Sequence, residues 1–336
     1  MKPVIVFVDD EPNILQGIKR YTRSQRGKWD LHFLESGKEA IELVAKMPVD
    51  VIVSDMRMPE ISGADLLEHI SRDAPGIIRF ILSGEAEEAQ TYRTVGRSHR
   101  FIAKPCDPAS LISEIDEILS LRQELGYKHA AECLSIFDEL QSPASVFDEL
   151  QNELTKGDAS INNIITLAES DPSLAARVLQ LSNSAYFGKP LSSLSVARAI
   201  HTIGAPSLNK LLELERLGNA GSARSYESEA LSDYQKAAKL AQHVSNKLKQ
   251  SGHGEDMCDN AYATGLFAML GAFGIKREEN KNKVPIRAGY IARLFGMPET
   301  LTKTLLKLPS YSIKTPLEEL ANLIESAIAE QNKAAA

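Results

Sequence analysis

The chain has 336 residues, a formal net charge of −7, 43% hydrophobic and 25% charged residues. These are ordinary globular values, and they exclude a mostly disordered or fibrous chain. The length suits two domains, no apolar run reaches the roughly 18 residues of a membrane span, and the acidic balance argues against a nucleic-acid partner.

Met1-Lys2-Pro3 leads into the apolar run Val4–Val8, which acids follow. This run is too short for a signal peptide and reads as a strand, so a cytoplasmic protein is expected. Four more runs follow: Leu31–Leu34, Val49–Ser54, Ile77–Leu82 and Phe101–Ala103. All are short and continuous, as strands buried on both faces are.

Helical periodicity lies between them. Asn13–Arg23 puts Ile14, Leu15, Ile18 and Tyr21 on one side; Gly37–Met47, Ala64–Ser71 and a weaker stretch at Glu87–Thr94 follow. Strict alternation predicts a doubly wound α/β layer with a five-stranded parallel sheet. Asp107-Pro108 starts a longer helix, interrupted at Gly126, that runs to about Leu140. Its Leu111, Ile115, Ile118 and Leu125 can pack on the sheet or face a partner helix.

Beyond Leu140 the strand signals end and an all-α region is predicted. Helices are expected from Ser142-Pro143 and Asp171-Pro172, then at Val196–Ile203, Leu208–Leu217, Leu231–Leu248, Asn260–Phe273 and Leu317–Ile328, with a frayed tail at Asn332–Ala336. The basic stretch Lys276–Arg287 reads as a solvated loop. Cys106, Cys133 and Cys258 form no CxxC pair and read as idle thiols.

In an open parallel sheet, ligands gather beyond the carboxyl ends of the strands. Those ends carry Asp9, Asp10, Asp55, Ser83 and Lys104. Three close carboxylates call for a cation, and hard oxygen donors suit Mg²⁺. An Asp oxygen attacking a phosphoryl group needs such screening, and Lys104 and Ser83 can contact the equatorial oxygens.

The runs Val-Asp9-Asp10-Glu, Val-Ser-Asp55-Met-Arg-Met-Pro59, Leu-Ser83-Gly and Phe101-Ile-Ala-Lys104-Pro105 resemble those of two-component response-regulator receiver domains. The resemblance implies a flavodoxin-like, CheY-like fold over residues 1–125 and a phosphoprotein with Asp55 as phosphoacceptor. It implies Mg²⁺ on Asp10, Asp55 and the Arg57 carbonyl, with Asp9 acting through water. Ser83 and Phe101 take the switch positions, and Lys104-Pro105 is the cis peptide. A histidine kinase is the implied phosphodonor, and a homodimer through the last strand and helices is allowed.

After a helical linker at 126–140, residues 141–330 resemble the HDOD family, relatives of HD and HD-GYP metal phosphohydrolases. Ile164–Gly204 carries the likeness, with its Asp171-Pro172-x-Leu174-Ala175 turn and its Asn183-Ser184-Ala185-Tyr186 end. Asp171 is expected to cap a helix whose inner face is Leu174, Ala175, Val178 and Leu179. Asn183 is expected to bond the following loop, which Tyr186 and Phe187 pin to the core. Ala268 and Met269 stand where the enzymes carry a His-Asp pair, and Tyr234 lies on the helix where an earlier His is expected. Neither Ala nor Met ligates a hard cation. The expectation is a bacterial phosphorelay regulator, no enzyme, whose HDOD domain binds a protein target, a cyclic di-GMP signalling enzyme or a kinase. The alternatives are an HD-type phosphodiesterase, disfavoured by the missing ligands, and a DNA-binding regulator, for which no Arg- or Asn-rich recognition helix is evident.

Overall fold

A computed structural model describes residues 2–84, 94–95, 97–139, 142, 144–156, 158–184, 194–219, 228–273 and 282–335. The chain divides into two compact units, with a boundary between Asp138 and Glu139.

In the first unit five parallel strands, β1 (Val4–Val8), β2 (Asp30–Leu34), β3 (Val51–Asp55), β4 (Ile78–Ser83) and β5 (Arg100–Ala103), form one sheet in the order β2-β1-β3-β4-β5. Every residue of β1, β3 and β4 is buried. Strands β2 and β5 are not buried on both faces as expected, because they form the two edges. The register aligns Val53 with Phe80 and Ser83 with Ala103, so the strand ends that carry polar residues share one rim.

Local chemistry explains the helices α1 (Pro12–Tyr21), α2 (Gly37–Lys46) and α3 (Gly63–Asp73). Ser36 Oγ accepts from Glu39 N and Ser62 Oγ from Asp65 N, each satisfying an orphan donor of a first turn. On α1 only Leu15 and Ile18 are buried, whereas Tyr21, expected on the same side, is 59% exposed. Helix α4 (Pro108–Leu125) is capped by Asp107, whose carboxylate accepts from Ala109 N and Ser110 N. Gly126, at φ 86°, separates it from α5 (Tyr127–Glu139). Leu111, Ile115, Ile118 and Leu125 are all buried within the chain, so this stripe is no open dimer seam. The expected helix at Glu87–Thr94 falls, but for Thr94, outside the described residues.

The second unit is helical: α6 (Ala144–Thr155), α7 (Ile161–Ser170), α8 (Pro172–Ser182), α9 (Val196–Asn219), α10 (Ser228–Gln250), α11 (Glu255–Ala272), α12 (Val284–Leu294), α13 (Glu299–Leu306) and α14 (Leu317–Ala335). The two expected helices at Val196–Ile203 and Leu208–Leu217 are one element bent at Gly204 (φ 75°), two residues before Pro206. Helix α8 is buried on all sides, Arg177 and Gln180 included. Gly271 lets α11 and α12 touch, since a Cβ there would lie 2.6 Å from that of Ala288.

Three expectations are corrected here. Helices α12 and α13 were not anticipated. Arg287 is no solvated loop residue: it lies buried in α12, and its Nε and one terminal nitrogen donate to Gly271 O and Phe273 O at the end of α11. The expected tail continues as helix to Ala335. No described helix is long and apolar enough to cross a membrane.

Candidate phosphoacceptor site

Strand β1 delivers Asp9 and Asp10, β3 delivers Asp55, β4 delivers Ser83, and the residue after β5 is Lys104. Carboxylate oxygens of Asp9, Asp10 and Asp55 lie within 4.8 Å of one another. Lys104 Nζ lies 2.9 Å from Asp9 Oδ2 and 2.5 Å from Asp55 Oδ1. The Lys104-Pro105 peptide is cis, and Lys104 N donates to Ser83 O at 2.9 Å.

Backbone donors orient the acids. Glu11 N donates to Asp9 Oδ1 at 2.9 Å and Arg57 N to Asp55 Oδ2 at 3.2 Å. Met56 N donates to Leu82 O, and Gly63 N donates to Met56 O. Gly63 is required by close approach, since any Cβ there would lie 2.1 Å from the Asp55 carbonyl. Sequence reading missed this glycine, because the contact joins the end of β3 to the start of α3.

Burial pushes the Asp55 carboxyl up, and Lys104 opposes that shift. Burial works against the Lys104 charge, but its bonds to Asp55 and Asp9 outweigh it and hold the ammonium above its ordinary value. Ser83 is 1% exposed, and its Oγ has no hydrogen-bond partner among the described residues. Phe101 is buried among the core residues that include Met56 and Ile81.

Three carboxylates and one ammonium leave a local charge near −2. An all-oxygen donor set of that charge, beside an unsatisfied hydroxyl, fits a hard divalent cation and an anionic group bearing acceptor oxygens.

In the helical unit Asp171 is fully buried and caps α8 as expected, Oδ1 accepting from Leu174 N at 2.8 Å. The same oxygen accepts from Ser142 Oγ and Tyr234 Oη, both at 2.7 Å, while Oδ2 is buried with no hydrogen-bond partner among the described residues. Tyr234 Oη also accepts from Ser173 N. Tyr234 is thus tied into the Asp171 bonds, a pairing across 63 residues that no local pattern signals. Ala268 and Met269 are buried on α11, and Tyr311 Oη donates to Ala268 O at 2.8 Å. Asn183 Nδ2 donates back to Leu179 O. Tyr186 and Phe187 lie outside the described residues. His201 and His253 are exposed, and His243 sits 2.7 Å from Glu318.

Comparisons with known proteins give the same two parts. The model of the response regulator receiver domain matches residues 5–116, and that of the HDOD domain matches 140–307. The chain thus carries a response regulator receiver domain ahead of a helical HDOD domain. It belongs to the HDOD domain family, whose model spans half of its length. It is 31% identical to response regulator SaeR of Staphylococcus aureus over 40% of this chain and 58% of that protein. It is 28% identical to the uncharacterized transcriptional regulatory protein YesN of Bacillus subtilis, over 42% of this chain and 39% of that protein. The chain thus spans less than two thirds of these relatives. A signal receiver domain of an HD domain-containing protein from Pseudomonas fluorescens aligns at 25% identity with a TM-score of 0.35, over 37% of this chain and 99% of that one.

Proposed function

We propose that Asp55 accepts a phosphoryl group from a histidine kinase, and that this switches the binding of a protein target by the HDOD region, residues 141–330. The observation that carries the reading is the meeting of Lys104 with Asp9 and Asp55 beside an unsatisfied Ser83 hydroxyl.

An Asp55 carboxylate oxygen forms the new P–O bond as the donor's P–N bond breaks, and the imidazole leaves. Lys104 and Ser83 contact the transferred phosphoryl oxygens. Asp9, Asp10, Asp55 and the Arg57 carbonyl would hold Mg²⁺, which supplies screening between the carboxylate and the incoming oxygens. Phe101 and Ser83 serve as the switch pair.

The HDOD region is read as a non-catalytic module. Ala268 and Met269 offer no hard ligand, and Tyr234 is engaged with Asp171. By resemblance, its target is a cyclic di-GMP signalling enzyme or a kinase in the cytoplasm. Paired affinity captures test this, one with the unmodified chain and one with the chain loaded with beryllofluoride in place of the phosphoryl group. A partner retained in one state only is expected; identical partner sets would contradict the switch.

A further inference from the structure

We propose that the receiver unit binds a nucleotide in a cleft between Trp29, Arg122 and Tyr127, at the end of the sheet opposite Asp55.

The cleft has a volume of about 810 Å³ and includes Lys2, Lys28, Trp29, Arg122 and Tyr127 in its lining, together with the Asp116 carboxylate. That volume lies in the range of small-molecule sites. Lys2 and Trp29 come just before β1 and β2, at the strand starts. Five-residue strands place it roughly 15 Å from the acidic rim, so it is a separate site.

Its chemistry suits a group that is both anionic and flat. Arg122 is 7% exposed. Its terminal nitrogens donate to Asp50 O at 3.1 Å and Gly76 O at 3.3 Å, with the Asp50 carboxylate 3.5 Å away. Its buried Nε–H has no acceptor among the described residues, and a buried donor left unmatched is costly. That nitrogen is closed to solvent, so Arg122 serves as the support beneath the Tyr127 ring, and Lys2 and Lys28 supply the contacts to a phosphate.

Among the described residues Lys28 has one ion pair, a long, exposed contact to Asp116 at 3.9 Å, and Lys2 Nζ spends one proton on Arg26 O. Both amines can turn toward a phosphate. Tyr127, 59% exposed, lies with its ring centroid 4.8 Å from the Arg122 guanidinium, which leaves ring surface for stacking. Gln123 and Ser120 offer hydrogen bonds to a base edge.

The surroundings favour anions. From Pro12 to Trp29 the chain carries Lys19, Arg20, Arg23, Arg26 and Lys28, all exposed, and no acid. Among the described residues no carboxylate pairs with Arg20, Arg23 or Arg26. In a chain of net charge −7 this is a local positive field that steers anions to one edge. A nucleic-acid strand is less favoured than a single nucleotide, because the chain as a whole repels a polyanion.

Trp29 is the only tryptophan, so its emission reports on the cleft directly. The full chain is titrated with AMP and GMP, and with adenosine and inorganic phosphate as the separate halves; calorimetry runs alongside in case the emission does not respond. Saturable binding of a nucleotide below about 1 mM is expected, with each half weaker by about tenfold or more. The exposed double variant Lys2→Glu/Lys28→Glu, and Tyr127→Ala, should each weaken it without altering the melting curve. No response by either method, an equal response to inorganic phosphate (an adventitious ion only), or unchanged binding by the lysine variant would each overturn the proposal. Preference for an oligonucleotide over both nucleotides would replace it with a nucleic-acid site.

Discussion

Lys104 and Asp55 meet at 2.5 Å although β4 lies between the strands that position them. Lys104 therefore reaches across a neighbouring strand end, and the same amine holds Asp9 at 2.9 Å. One ammonium is shared between two buried acids that otherwise repel, which ties the geometry of Asp55 to its charge balance.

Lys104→Ala should slow phosphoryl uptake at Asp55 by about 10²-fold, the usual cost of losing one donor to a transition-state oxyanion. Rates of labelling with a small phosphodonor check this. A rate within a factor of two of wild type would remove Lys104 from the chemistry.

Ser83→Ala separates function from stability. The hydroxyl is buried without a partner among the described residues, so its removal should leave the unfolding free energy unchanged or raise it by up to about 1 kcal/mol. Phosphoryl uptake should slow in the same variant. A clear loss of stability would show that Ser83 serves the fold.

His99 makes the receiver acid-sensitive. It is fully buried, its Nδ1 accepts from Arg79 N at 2.8 Å, and Arg79 lies against its other ring nitrogen. Burial and then the charges of Arg79 and Arg122 hold its pKa well below 6.5. The folded state thus binds fewer protons than the unfolded one, and this contribution to stability is lost as pH falls below 6.5. Thermal melts from neutral pH downward should show a fall that His99→Gln flattens. Equal pH slopes in both proteins would contradict the assignment.

Asp171 carries the reverse sign. Burial raises its pKa against the bonds from Leu174, Tyr234 and Ser142, so the charged form penalises the fold as pH rises through the carboxylate range. Asp171→Asn keeps an acceptor at Oδ1 and loses the charge. Its melting temperature at pH 7 should equal or exceed wild type, with the difference shrinking in acid. Asp171→Ala leaves three donors unmatched and should cost about 3 kcal/mol. Denaturant unfolding of both variants decides the matter.

The parallel sheet was legible because Val- and Ile-rich runs alternate with helical periodicity, both short-range signals. The caps at Asp107 and Asp171 were equally local, each an Asp-Pro pair. The acidic rim could be inferred because the carboxyl ends of parallel strands converge whatever lies between them. What depended on distant partners was not legible. Tyr21 has helical spacing with Leu15 and Ile18 yet faces water. Arg287 sits in a basic stretch, but its partners are carbonyls at the end of α11. The Tyr234 bond to Asp171 and the contact of Gly63 with the Asp55 carbonyl have no signature in either segment alone.

The central claim is that Asp55 is the phosphoacceptor. Intact-mass measurement after incubation with Mg²⁺ and a small phosphodonor tests it most directly. One added phosphoryl group is predicted in the wild type and none in Asp55→Ala. Addition that persists in Asp55→Ala, or a wild type that takes up nothing, would contradict the account.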